Sequence, residues 1–228
     1  PLFAVQLMIG LGFWATRNQT VDDLGWLRAF FWLSAEYRPP AFFAASQLWL
    51  AAWLSWQIWR IEKRSPWLAA AMVCLYMGCD ESLVIHERVG HHIADIANAP
   101  LFEGIYNWLV FFAPLALALG MRFAWQFQKI LDGLSMGLLV LAGAVFLSGA
   151  VGMELFEAAG RKLDERFLAT PAGHLNMLIE EMLELFGVGL TVFVFTRHRL
   201  QLRAINVPQP HATQPETVQC GCRRQTSS

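Results

Sequence analysis

Charge is scarce in this chain. Only 15% of its 228 residues are Asp, Glu, Lys or Arg, against about 25% in an average soluble domain, so the usual solubilising surface is missing. A net charge of −1 excludes the overall basic balance of a nucleic-acid binder or a polybasic surface protein. Cysteine is sparse as well. Cys74 and Cys79 fall in an apolar run and Cys220 and Cys222 in a polar tail, which is no secreted disulfide framework. Neither an internal repeat nor a cleavable signal peptide is visible. The chain opens on Pro1 inside an apolar run with no initiator Met, and is expected to be a fragment or a processed product.

What is abundant is apolar sequence, 56% of the residues. It is gathered into runs at Leu2–Thr16, Ala41–Trp59, Trp67–Ile85, Ile105–Phe127, Leu134–Met153 and Leu175–Phe195. A helix crosses a bilayer core in about 20 residues. The runs therefore predict an all-α, polytopic membrane helix bundle of about six transmembrane helices over residues 1–205. A weaker run over residues 25–38, rich in Trp and Phe beside Arg28 and Glu36 and closed by Pro39–Pro40, predicts a short interfacial helix. Residues 206–228 are expected to form a disordered cytoplasmic tail. Arg60, Lys63 and Arg64, then Arg122 and Lys129, then Arg197, Arg199 and Arg203 fall on one side of such a bundle. By the positive-inside rule both termini are cytoplasmic, in a bacterial inner membrane.

The polar residues that interrupt the runs carry the chemistry. The end of the third run and the residues directly after it carry Asp80, Glu81, His86, Glu87, His91 and His92. On a continuous helix Asp80, Glu87 and His91 lie on one stripe, with Glu87 and His91 one turn apart. The fifth run ends in Glu154 and Glu157, and the sixth begins with His174, Glu180, Glu181 and Glu184. Carboxylates at membrane depth are costly, and several together repel unless protonated or neutralised by a cation. Asp80, Glu87, His91, Glu154, His174, Glu181 and Glu184 are thus a candidate outward-facing site for a divalent metal, iron or zinc. A buried ion-pair network is the structural alternative. The stripe of Trp49, Trp53, Trp56 and Trp59 reads as a packing surface.

The stretch His86-Glu87-Arg88-Val89-Gly90-His91-His92 resembles the first histidine box of membrane fatty-acid desaturases and hydroxylases, which implies a di-iron centre. The acidic helices are similar to ferritin-like carboxylate sites. That resemblance implies four carboxylates and two histidines, which Asp80, Glu87, His91, Glu154, Glu181 and His174 would supply. With six histidines in all the further desaturase boxes are missing, and the Glu-x-x-His pairs of the ferritin-like proteins are absent. Over most of its length the chain resembles uncharacterised bacterial multi-pass membrane proteins with a DE…HE helix and a later EExxE helix. The functional expectation is a metal-dependent oxidoreductase or hydrolase acting on a membrane-soluble substrate, with Glu87 or Glu181 as base. The alternative is a non-enzymatic membrane subunit or a cation or proton transporter. No protein partner is indicated.

Overall fold

The computed structural model describes residues 1–17, 30–31, 39–86, 88–89, 92 and 107–205. All described regular structure is helical: α1 (Leu2–Thr16), α2 (Pro39–Glu62), α3 (Ser65–Leu83), α4 (Asn107–Phe127), α5 (Gly133–Leu147) and α6 (Glu154–Leu163), then α7 (Pro171–Ile205). A π-helical turn, Ser148–Met153, joins α5 to α6 without a break, so the two make one long rod. The expected interfacial helix over 25–38 falls almost wholly outside the described residues, as does the tail over 206–228.

Helix ends follow local chemistry. α2 starts on Pro39–Pro40, where a missing N–H costs little. It stops at Lys63, whose left-handed φ of 57° turns the chain into α3, again with Pro in the first turn. Ser55 Oγ donates to the Trp67 carbonyl (2.6 Å) and fixes that hairpin. Asp132 caps α5 by accepting from the Ser135 N–H (3.0 Å). Those bonds and the nearby Arg197 hold the Asp132 carboxyl down at about 2.

α7 is the central helix, packed on α1, α2, α5 and the π turn. Two glycines permit its close approach. A Cβ on Gly187 would stand 2.8 Å from the Ala142 carbonyl, and one on Gly149 2.8 Å from that of Glu180. At one end of the bundle Trp67 is fully buried, edge-on to Phe127 (4.7 Å) and Phe195 (5.3 Å) and stacked on His198 (5.0 Å). Its indole N–H donates to Glu62 (2.9 Å), whose other oxygen meets His198 Nε2 at 2.7 Å. The buried polar groups thus satisfy one another, as a low-dielectric interior requires. In mid-bundle Gln6 Nε2 donates to Gln47 (2.9 Å) and to the Leu185 carbonyl (2.6 Å).

A bundle of six spanning helices is not supported. Among the described residues one helix, the 31-residue rod Gly133–Leu163, is long and apolar enough to cross a membrane, its most apolar 18-residue stretch having a mean hydropathy of 2.2. α1 has only 15 residues. α2 is diluted by Ser46, Gln47, Ser55, Gln57 and Arg60, α3 by Asp80 and Glu81, and α7 by its glutamates and terminal arginines. The multi-pass assignment, and the inside–outside orientation derived from it, fall with that finding; what stands is one possible membrane-spanning helix. The tryptophan stripe packs only in part. Trp49 lays its ring over Gly78 of α3 and Trp59 packs on the core, Trp53 and Trp56 are exposed, and Gln47, Ala51, Ser55 and Ile58 take the buried face.

Candidate functional site, an acid-lined chamber

A chamber of about 740 Å³ opens between α2, α3, α4, the α5–α6 rod and α7. Most of its wall is apolar, including Leu48, Val73, Phe112, Leu119, Phe146 and Val188. Its polar groups are Asp80, Glu81 and His86 from the α3 end, Glu154 and Glu157 from α6, and Glu180, Glu181 and Glu184 from α7, with Tyr76 beside them. Among the described lining residues there is no Lys or Arg.

Two irregular backbone features place these groups. The first is Val84, which takes the left-handed conformation (φ 54°, ψ 46°), a rare state for a β-branched residue and one that stores strain. It ends α3 and folds the chain back. Asp80 then accepts from the His86 backbone N–H (2.8 Å), and its second oxygen meets His86 Nδ1 at 2.8 Å. The helix that carries Asp80 therefore ends at Leu83, and Glu87 and His91, expected on one stripe with Asp80, lie outside the described residues. The second feature is the π turn, whose wider winding adds a residue and sets Glu154 and Glu157 toward α7. Gly149 within it lets the rod touch the α7 backbone at Glu180.

The carboxyls that meet here do not behave as independent acids. Burial, then repulsion from Glu154, Glu181 and Glu157, pushes Glu180 up to about 9. Burial raises Glu181 well above the usual range, helped by Glu81 and Glu154. Glu184 is raised likewise by burial and by Glu181, Glu81, Glu180 and Glu154. Each still shows part of its surface to the chamber. Near neutral pH Glu180 therefore keeps its proton, and burial with mutual repulsion disfavours charge on Glu181 and Glu184.

Of the residues singled out from the sequence, Asp80, Glu154, Glu181 and Glu184 line this one chamber. Glu87 and His91 lie outside the described residues. His174 is not among the lining residues; its ring stands edge-on to Phe13 at 6.5 Å. A metal centre is not supported, because among the described residues no three His, Cys, Asp or Glu side chains are arranged to hold an ion. Asp80 is engaged by His86, His174 belongs to the α1–α7 contact, and the other acids line a roomy wall. The Asp80–His86 pair was missed because nothing in the sequence marks Val84 as a turn. Glu180 carried the better signal, since the Glu180-Glu181 doublet puts two acids on adjoining faces of one helix turn.

No curated protein and no solved structure matches this chain. Residues 1–198 match the model of a family described as a domain of unknown function, DUF8692, and the chain belongs to that family.

Proposed function

We propose that this is a membrane-associated protein whose chamber binds a membrane-soluble amphiphile, its apolar body along the wall and its polar end among the carboxyls. The observation that carries this reading is the joining of both surfaces in one cavity, within the roughly 300–1,000 Å³ usual for small-molecule sites. The rod Gly133–Leu163 serves as membrane anchor, since only 17% of its apolar stretch is buried within the fold. A polar end made of seven carboxyls with a single histidine, His86, among the described lining residues favours a cationic head such as an ammonium group. Binding it relieves carboxylate repulsion and releases the proton held by Glu180.

The test compares a fluorescent long-chain amine with the alcohol of equal chain length, on purified protein in detergent. The amine should bind more tightly, by about tenfold or more at pH 8, and its advantage should shrink toward pH 5 because releasing the Glu180 proton costs more as pH falls. The double variant Glu180→Gln/Glu184→Gln should lose the preference while staying folded. Equal binding of amine and alcohol by the wild type would refute the reading.

A second reading, passage of a cation or proton, draws on the buried Gln6–Gln47 pair at the Leu185 carbonyl, next to Glu184. It ranks lower because the next buried polar side chain along α2 is Ser55, about 12 Å away at helical rise.

A further inference from the structure

The end of the bundle opposite the acids carries cations paired with tryptophans. Lys129 Nζ stands 3.6 Å from the Trp125 ring, Lys63 Nζ 4.9 Å from Trp59, and the guanidinium carbons of Arg60 and Arg199 5.1 Å and 4.9 Å from Trp56 and Trp53. The acids at this end are occupied. Glu62 is tied to Trp67 and His198 and lies 3.8 Å from the Arg64 Nε, which leaves the two terminal guanidinium nitrogens of Arg64 to the crevice, and Asp132 is tied to Ser135 and Arg197. A crevice of about 320 Å³ separates the start of α3 from the end of α4, with Arg64 on one lip and Lys129 and Trp125 on the other. One turn inward from each lip the surface becomes apolar and open: Leu68 is 37% exposed and Met121 60%.

We infer that this crevice seats the headgroup of an anionic phospholipid, its phosphate between Arg64 and Lys129 and its acyl chains along Leu68 and Met121. Charge alone would suit an acidic peptide equally well. The apolar flank decides for a lipid, because a peptide would leave that flank in water, whereas acyl chains cover it. Trp125, 55% exposed, lies at the junction of head and chains, the depth that interfacial tryptophans prefer. This site is independent of the chamber and of what the chamber binds.

The test uses the full chain in bilayer discs of phosphatidylcholine doped with brominated phosphatidylglycerol or, separately, brominated phosphatidylcholine, and reads tryptophan quenching. The signal from this site is the part lost in Trp125→Phe. Phosphatidylglycerol should be enriched about fivefold or more at Trp125, as expected for two basic side chains near a headgroup, and less at high salt. Arg64→Gln/Lys129→Gln should bring the enrichment to unity, and Arg64→Lys/Lys129→Arg should retain it; both residues are exposed, so the fold is not at stake. Equal quenching by the two lipids overturns the inference, as does enrichment that survives the glutamine pair. Loss of the enrichment on adding soluble polyglutamate would assign the crevice to an acidic polymer and overturn it too.

Discussion

Replacing Glu180 by Gln asks directly whether the acids of the chamber hold protons. The Glu180 carboxyl rises from an ordinary 4.5 to about 9 on folding. The folded chain therefore keeps a proton that the unfolded chain releases between those limits. Stability is undiminished by this group below pH 4.5 and falls as pH climbs through the window. Each unit is worth about 1.4 kcal/mol, so a rise of about 2.5 units, from pH 5 to 7.5, sets an upper bound near 3 kcal/mol. Because the side chain opens partly onto the chamber, solvent screening reduces this to roughly 1–2 kcal/mol. Gln has nearly the same shape and no proton to lose. Melting followed by tryptophan fluorescence in detergent should show the wild type losing stability from pH 5 to pH 8. Glu180→Gln should match it at pH 5, exceed it at pH 8 and run flatter between. Parallel curves for the two proteins would show that Glu180 titrates alike folded and unfolded, and the reasoning would fail.

Other substitutions probe the scaffold. Gly149→Ala should cost about 1–3 kcal/mol by pushing the rod off the Glu180 backbone, read as a lower melting temperature and a weaker pH dependence than the wild type's. Val84→Asn should be tolerated or mildly stabilising, since Asn visits the left-handed region readily, whereas Val84→Ile should gain nothing; thermal denaturation separates them. Trp67→Ala should cost about 3–5 kcal/mol through the lost core and the indole donor taken from Glu62, and Trp67→Phe distinctly less.

Much of the secondary structure was legible in the sequence, because long apolar runs bounded by Pro and by basic clusters leave little choice but helix. The gathering of Glu154, Glu181 and Glu184 was legible too, since acids near the ends of consecutive runs come together when the helices alternate in direction. Three features were not. The turn at Val84 runs against the preference of its own residue and is imposed by the Asp80–His86 bonds. The π turn leaves no composition signal beyond Gly149 and Gly152. Which side of α2 faces in was misjudged in part because size suggested burial for Trp53 and Trp56, whereas the tight contact with α3 and α7 selects Ala51, Ser55 and Ile58. The near-zero net charge conceals a segregation, the chamber acids at one end and the cation–tryptophan pairs at the other, which the placement of the basic clusters along the runs already suggested.

The π turn couples the winding of the rod to chain length in a way that residue identity does not reveal. Winding Ser148–Met153 as ordinary α-helix needs one residue fewer. Deleting a single residue there would leave an apolar helix of almost unchanged composition. It would also let the turn wind as plain α-helix with Glu154 and Glu157 still on the chamber, whereas winding all six residues as α-helix would rotate everything after them by about 100° about the axis and carry those two acids away from Glu180, Glu181 and Glu184. Among members of this family, a spacing one residue shorter between the helix-capping Asp132 and the first acid of α6 should therefore go with a plain α-helix, and the present spacing with the π turn, both keeping the acidic wall.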